Sequence, residues 1–299
     1  MVRKGETVMI KKTTGERIFA FFNVIFLALF AFTTLYPFIY TLSKSLSTQA
    51  AVMNNVYFLY PKEITFAAYQ RVLTGKQLYI TYGNTIFRTL VGTTLTLLVT
   101  AMYAYPLSRK YMPNRKFFMM FTIFTMLFSG GTIPLYIVIK NLHLLNNRLV
   151  YILPTLVSAY NVIIIRSFLM SIPDSLIESA KIDGASEFTI LFKIVLPLSK
   201  AVLATVALWV AVAHWNSWFD SMLYIDDKEK QVVQLYLQQI VQKGATNELG
   251  DGLSNDLNTQ TADTIKSATI MVTVLPILCV YPFVQKYFVK GVMLGSVKG

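Results

Sequence analysis

The densest group of side chains that could do chemistry lies between His214 and Asp220, within an otherwise apolar stretch of the chain. Amide, hydroxyl and carboxylate groups exchange hydrogen bonds with polar ligands, and indole rings offer flat faces to the C–H surfaces of a ligand. On a continuous helix, Trp215 and Trp218 would share one face, and Asn216 and Asp220 another. The segment therefore predicts a path for a polar ligand, lined by Trp215, Asn216, Trp218 and Asp220.

Elsewhere the sequence offers few residues that could support catalysis, metal binding or nucleotide binding. The chain contains two histidines and a single cysteine, Cys279 in an apolar run, so neither an internal disulfide nor a metal site is expected. The nucleotide-binding motif Gly-x-x-x-x-Gly-Lys-Ser/Thr is missing, because Gly75-Lys76 lacks both the first glycine and the hydroxyl residue. We therefore expect no metal, no cofactor and no catalytic residue in this chain.

The composition indicates a protein embedded in a lipid bilayer. Hydrophobic residues make up 55% of the 299 residues, charged residues only 14%, and the mean hydropathy is +0.53. A soluble domain carries about 25% charged residues, so this chain lacks the polar side chains to cover a water-exposed surface. The net charge of +12 comes from short basic clusters beside apolar runs, so nucleic-acid binding is not expected.

Six uncharged segments have lengths suited to crossing about 30 Å of hydrocarbon as helices. They are Ile18–Thr41, Thr89–Leu107, Phe117–Ile139, Leu149–Ile165, Ala201–Phe219 and Ser267–Gln285. Prolines and the pair Gly130–Gly131 interrupt several of them. Such interruptions persist in a membrane only where neighbouring helices or water satisfy the freed backbone groups, which predicts a packed all-α bundle around a path.

Several polar residues lie within or near the ends of the predicted spans. Arg88, Arg148 and Arg166 are expected to extend their charged groups toward the membrane surface. The polar group at 214–220 has an alternative interpretation as an aromatic belt at the membrane interface with hydrogen bonds between helices. Tyr160 and Asn161 in the fourth span are weaker candidates for the path.

Loop charges predict the orientation, because basic residues accumulate on the cytoplasmic side of a membrane. The N-terminal segment 1–17 carries five Lys or Arg, and the loops after the second and fourth spans and the tail 286–299 are also basic. The segment 226–266 between the last two spans holds seven acids against four lysines. Both termini are therefore expected in the cytoplasm, with segment 226–266 outside and its stretch Val232–Val241 forming a short surface helix.

The basic loop after the fourth span, residues 171–200, reads as two short helices at a sharp corner, and we call it the two-helix loop. Ser171, with Asp174 three residues later, predicts a helix start, and Gly184 predicts a left-handed helix end. Ser186 suits the start of the second helix. Phe188, Leu191, Phe192 and Val195 form a predicted apolar stripe, and Pro197 is expected to end the unit.

The two-helix loop resembles the Glu-Ala-Ala loop of ATP-binding-cassette importer permeases. The match consists of Glu178-x-Ala180-x-x-Asp183-Gly184, then nine residues, then Ile194-x-Leu196-Pro197, with Ser179 where alanine is usual. The segment 214–220 and the ending 290–299 are similar to the MalG-like half of carbohydrate importers. Leu35–Ser47 resembles their polysaccharide branch, of the LplB/YtcP type.

The resemblance implies a type I importer permease fold: six transmembrane helices and a cytoplasmic coupling loop in one domain of residues 1–299, in a bacterial plasma membrane. It implies a second, homologous permease subunit, two ATPase subunits that bind ATP and magnesium, an extracellular lipoprotein that delivers the carbohydrate, and alternating access powered by the ATPases. The ATPase contacts would be made by Glu178, Ala180, Asp183, Gly184, Leu196 and Pro197, and by Gly295 and Lys298 of the tail.

Two other classes of protein compete with this interpretation. A membrane-embedded enzyme of lipid-linked sugar metabolism would require an acid–base or metal constellation, for which the sequence offers no cluster. A secondary transporter would be favoured by inverted repeats and by ion-pair residues within the spans, of which there are almost none.

Overall fold

A computed structural model describes residues 13–54, 59–243 and 263–279 of the chain. Over these residues the fold is helical apart from one isolated bridge between Ser47 and Ile64. Helices satisfy every backbone hydrogen bond within one segment, which is why they suit a chain this apolar. The expected all-α class is confirmed.

The first half of the chain contains α1 Thr14–Ser45, α2 Gln49–Met53, α3 Ala67–Thr74, α4 Lys76–Ser108, α5 Arg115–Leu127 and α6 Thr132–Asn141. Two 3₁₀ turns, Arg148–Tyr151 and Leu153–Thr155, precede α7 Ala159–Leu169. The two-helix loop contains α8 Asp174–Ile182, α9 Glu187–Ile190, a π-helical turn Leu191–Val195 and α10 Leu196–Leu198. Then follow α11 Lys200–Asn216, α12 Phe219–Tyr224, the 3₁₀ turn Lys228–Lys230, α13 Val233–Lys243 and α14, residues 263–279.

Two single helices, α1 and α4, are long and apolar enough to cross a membrane, and they contain the first two predicted spans. Three further candidates within the described residues are bent pairs: α5 with α6 at 113°, the 3₁₀ turns with α7 at 53°, and Glu187–Leu198 with α11 at 82°. The third and fourth predicted spans are therefore not continuous helices. The third breaks at Gly131, whose φ of +89° is a conformation that glycine adopts readily.

The fifth and sixth predicted spans differ in how much of them is described. The fifth corresponds to α11, which ends at Asn216, before the predicted end at Phe219. The sixth, Ser267–Gln285, is helical as far as residue 279 and continues outside the described residues. The tail 286–299, with Gly295 and Lys298, also lies outside them, as do residues 1–12 and 244–262.

Helix α4 lies at the centre of the bundle, in contact with α7, α11 and α13. Its C-terminal half contributes Ala104 and Leu107 to a buried apolar cluster with residues of α7 and α11. Farther along, Gly92 allows close approach, since a Cβ there would lie 2.6 Å from Nε2 of His214. The sequence thus places α11 directly against α4 at the level of the polar segment.

Two peripheral helices behave in opposite ways. The apolar window of α1 buries none of its residues against the rest of the described chain. The segment after the fifth span was expected to form a surface helix over Val232–Val241; it does form a helix, α13, but Val233, Leu235 and Ile240 are buried. They pack with residues of α3, α4 and α14 or of the turns near Tyr151, so the surface position was wrong.

Candidate functional site

The corner of the two-helix loop is made by Gly184, as the sequence predicts. Its φ is +78°, and its N–H donates to the Lys181 carbonyl at 3.0 Å. The next N–H, of Ala185, donates to the Ala180 carbonyl at 2.9 Å, so the carbonyls at the end of α8 are satisfied. The second helix then begins where expected, because Ser186 Oγ accepts from the Thr189 N–H at 3.3 Å.

The start of the loop differs from the prediction. Ser171 is not the cap of α8, since its hydroxyl donates to the Phe168 carbonyl at 2.7 Å and the helix begins at Asp174, directly after Pro173. The Asp174 carboxylate instead lies 3.6 Å from Arg109 and 3.5 Å from Lys110. The Asp174 carboxylate is therefore favourably placed at the start of α8, and it links that start to two cations of the loop before α5.

The apolar stripe predicted on the second helix is only half correct. Leu191 and Val195 are buried together with Ile190, whereas Phe188 is 66% exposed and Phe192 is exposed as well. The π-helical turn Leu191–Val195 explains the difference, because it adds one residue to the turn and shifts the buried face relative to an α-helix. Pro197 does not end the unit; the backbone stays helical to Leu198 before the 82° bend.

The outward side of the loop combines acids with large apolar side chains. Of the predicted ATPase contacts, Glu178, Asp183, Gly184 and Pro197 are exposed, and Ala180 and Leu196 are half-buried. Ile182, beside Asp183, is 86% exposed. An exposed apolar patch rimmed by charge is typical of a surface that binds another protein.

The inward side of the loop is fixed to the bundle. Ile177, Ile190 and Val195 belong to the same buried cluster as Leu107 of α4 and Leu169 of α7. Two arginines join the helix ends: Arg109 donates to the Leu169 carbonyl at 2.9 Å and Arg166 to the Leu107 carbonyl at 2.8 Å. Arg166 was expected to extend toward the membrane surface; it binds the end of α4 instead.

A second connection, which we call the Glu187 cluster, was not predicted from the sequence. The Glu187 carboxylate accepts hydrogen bonds from Tyr105 (2.7 Å) and Tyr111 (3.0 Å) and forms an ion pair with Lys181 (2.7 Å). Lys181 Nζ also lies 3.9 Å from the centroid of the Tyr111 ring. The cluster joins both helices of the loop to the end of α4.

Electrostatics supports this arrangement. Burial disfavours the charged carboxylate of Glu187, but the hydrogen bonds from Lys181, Tyr105 and Tyr111 outweigh that effect and hold its pKa below the ordinary value. The hydrogen bond with Glu187, and then that with Tyr111, raises the pKa of Lys181. Both groups are therefore charged at neutral pH.

The polar segment at the other end of α11 forms a turn rather than a continuous helix. Helix α11 ends at Asn216, Ser217 is extended, and α12 starts at Phe219. The expectation that Trp215 and Trp218 share one helical face therefore does not hold. Asn216 is exposed, while Trp215 and Trp218 are half-buried.

The fourth predicted path residue, Asp220, forms an ion pair with Arg88 of α4. Arg88 is 1% exposed, so the expectation that it extends to the membrane surface was wrong. Its guanidinium also donates to the Ser217 carbonyl, which the end of α11 leaves free, at 3.2 Å. Asp220 Oδ1 further accepts from the Ser217 hydroxyl at 3.0 Å and from the Ser221 N–H at 2.9 Å.

Tyr151 extends this group, which we call the Arg88 cluster: Arg88, Tyr151, Ser217, Asp220 and Ser221. The Tyr151 ring lies 4.6 Å from the Arg88 guanidinium carbon. Its hydroxyl lies 2.8 Å from Ser221 Oγ and donates to the Lys230 carbonyl at 2.9 Å. The carboxylate of Asp220 is thus engaged in holding the turn that carries Asn216 and Trp218.

A cavity of about 520 Å³ lies along α11, on the N-terminal side of this turn. It is lined by Trp215 and Ala207 of α11, by Thr89 and Thr93 of α4, and by Pro276 of α14. Its walls are mainly apolar. The volume lies within the range of about 300–1,000 Å³ that is common for small-ligand pockets.

The chain is similar to known transport proteins over nearly its whole length. A family model described as "Binding-protein-dependent transport system inner membrane component" matches residues 7–293. Protein LplC of Bacillus subtilis (strain 168) is 41% identical over 288 residues, covering 96% of this chain and 97% of the relative. The polygalacturonan/rhamnogalacturonan transport system permease protein YtcP of the same strain is 40% identical over 289 residues, covering 95% and 99%.

A solved structure gives the same result for the fold. A chain from a bacterial ABC transporter involved in the import of the acidic polysaccharide alginate matches with a TM-score of 0.87 at 37% identity, covering 94% of this chain and 100% of the solved one. The resemblance carried by the two-helix loop is thereby confirmed along the sequence and in three dimensions. The chain belongs to the family of inner membrane components of binding-protein-dependent transport systems.

Proposed function

We propose that this chain is one of two membrane-spanning subunits of an ATP-driven importer of oligosaccharides or polysaccharides. Family membership makes it a membrane-embedded transport component and not an enzyme. A lipid-linked sugar enzyme and a secondary transporter therefore no longer compete. The observation that carries the proposal is the two-helix loop, whose acidic outward side is exposed while its inward side belongs to the bundle core.

The outward side of the loop docks in a cleft of an ATPase subunit. Glu178 and Asp183 supply charge and Gly184 sets the corner. Pro197 is exposed as well, and Ala180 and Leu196 are half-buried. ATP and magnesium bind to the two ATPase subunits and not to this chain. Gly295 and Lys298 of the tail are proposed as further ATPase contacts.

The turn at the end of α11 lines the path of the carbohydrate. Asn216 offers an exposed amide, and Trp215 and Trp218 offer indole rings for the C–H faces of sugars. Asp220 contributes by holding the turn through Arg88. The similarity to YtcP and to the alginate transporter supports a carbohydrate of the polysaccharide class.

A second, homologous permease completes the path. Helix α1 supports this part of the proposal, since its apolar window has no residue buried within the described chain. An extracellular lipoprotein delivers the carbohydrate at the end that carries segment 226–266. The basic loops around Arg109 and Arg166 meet at the opposite end, which agrees with six spans in a bacterial plasma membrane and both termini in the cytoplasm.

Affinity purification of the full chain from its native host tests the assembly. We expect a second permease and an ATPase to co-purify, and the complex in proteoliposomes to hydrolyse ATP faster when the binding protein and an oligosaccharide, acidic or neutral, are added. A chain that purifies alone and transports without an ATPase would overturn the proposal.

The path is tested separately in the same proteoliposomes. Asn216→Ala and Trp218→Ala should lower oligosaccharide uptake per assembled complex, whereas the control Phe121→Ala, at an exposed aromatic residue of α5 away from the turn, should not. Uptake at the wild-type rate in both path variants would show that the turn only anchors this part of the chain at the membrane interface.

A further inference from the structure

The Glu187 cluster lies beside the proposed ATPase contacts but includes none of them. Its members come from three parts of the chain. Tyr105 lies in the last turns of α4, Tyr111 in the loop before α5, and Lys181 and Glu187 in the two helices of the two-helix loop. The other three side chains meet at the Glu187 carboxylate. Such convergence over 76 to 82 residues of sequence separation sets the position of the loop relative to α4.

The connection leads directly to the path. Helix α4 carries Tyr105 near one end and Arg88 farther along, and Arg88 holds the turn that contains Asn216. Movement of the loop therefore reaches the turn along a single helix, provided that the loop and α4 stay joined. The apolar cluster around Leu107 and Val195 joins them by packing, and Glu187 joins them by directed hydrogen bonds.

Exposure distinguishes these two connections. The Glu187 side chain is 48% exposed and that of Lys181 37% exposed. Water can replace the partners of exposed ion pairs, so these pairs contribute little to folding stability. Directed bonds of this kind favour one orientation of the loop relative to α4. Because water can replace them, that orientation can still change during a transport cycle.

We propose that Glu187 is a positioning residue that transmits movement of the ATPase-bound two-helix loop to α4. This inference rests on the proposed function. It predicts that loss of the carboxylate leaves the subunit folded and assembled but weakens the link between ATP hydrolysis and transport.

The test measures ATP hydrolysed per oligosaccharide imported by the complete complex in proteoliposomes. Glu187→Gln keeps the shape of the side chain but removes its charge, and should raise this ratio about two- to thirty-fold. Lys193→Gln, an exposed residue of the same unit outside the cluster, is the matched control and should leave the ratio unchanged. The double variant Lys181→Glu/Glu187→Lys restores an ion pair and should recover part of the coupling.

A pH series separates positioning from packing. Because the pKa of Glu187 is lowered in the folded protein, the cluster is intact above that pKa and is lost as the pH falls through it. The ATP hydrolysed per oligosaccharide imported by the wild-type complex should therefore rise at acidic pH. For Glu187→Gln this ratio should already be high and should change less.

Each result decides between clear alternatives. If the wild-type complex shows no oligosaccharide-stimulated hydrolysis, the proposed function fails. If it is coupled and Glu187→Gln is equally coupled, only the present inference is overturned. Should Glu187→Gln fail to assemble, Tyr105→Phe and Tyr111→Phe each remove one hydrogen bond from the carboxylate, and unchanged coupling in both would overturn the inference.

Discussion

Helix α4 contacts two ion-pair clusters, one at Arg88 near its middle and one at Tyr105 near its C-terminal end, and the two clusters differ in burial. Arg88 is 1% exposed, and its charge is matched by Asp220 and by a backbone carbonyl. Lys181 and Glu187 meet at the surface, where water reaches both. Removing one partner of a buried pair leaves an uncompensated charge, whereas an exposed pair exchanges its partner for water. The middle of α4 is thus held by a pair shielded from water, and its C-terminal end by bonds that water can replace.

The largest effect is expected from breaking the buried pair. Arg88→Met should lower the stability of the assembled protein by about 3–5 kcal/mol, because Asp220 and the Ser217 carbonyl lose their partner. The double variant Arg88→Met/Asp220→Leu, which removes both charges, should recover most of that loss. Thermal unfolding in detergent measures both, and a single variant as stable as wild type would refute the structural importance of the pair.

A smaller effect is expected where α4 and α11 touch. Gly92→Ala places a methyl group 2.6 Å from the His214 ring, so repacking should cost about 1–3 kcal/mol. His214→Ala removes the obstacle, and the double variant should be more stable than the sum of the single variants indicates. Additive losses in thermal unfolding would contradict the close contact.

The corner of the two-helix loop should respond to backbone conformation alone. A Cβ at Gly184 would meet no atom within 4 Å, so Gly184→Ala costs only the left-handed conformation, about 1–2 kcal/mol. Gly184→Asn is the matched control, since asparagine tolerates this conformation better. Binding of the ATPase to the assembled permease should fall in the order Gly, Asn, Ala, and equal binding by all three would show that the corner is not required.

The smallest effect on stability is expected at the exposed pair. Glu187→Gln should change thermal unfolding by less than about 1 kcal/mol, because exposed ion pairs contribute little. The same measurement on Arg88→Met gives the comparison directly. A loss at Glu187 as large as that at Arg88 would remove the distinction between the two clusters.

The sequence predicts the local features of the two-helix loop better than it predicts the contacts around that loop. Gly184 and Ser186 act on their own neighbours, so residue type alone indicates the corner and the second helix start. The family motif adds the identity of the unit. Ser171 was misread because Asp174 pairs with Arg109, 65 positions earlier, a partner that no local pattern reveals.

Contacts over long sequence separations account for the other errors. Arg88 and Asp220 are 132 residues apart, and their pairing decides both that Arg88 is buried and that the fifth span breaks at Ser217. The polar residues 214–220 are visible in the sequence, but no local pattern identifies Arg88 as their partner. The break in the third span, by contrast, has a local cause in Gly131, and the glycine pair there was already visible as an interruption.

The π-helical turn Leu191–Val195 has a consequence for how loops of this type vary. It holds one residue more than an α-helical turn needs, so deleting a single residue would restore regular α-helix. Each residue rotates a helix by about 100°, and the deletion would turn Glu187 and Phe188 by that angle relative to Leu196–Leu198. The length of this segment therefore sets the direction in which the side chains of α9 point relative to the bundle, independently of which side chains they are.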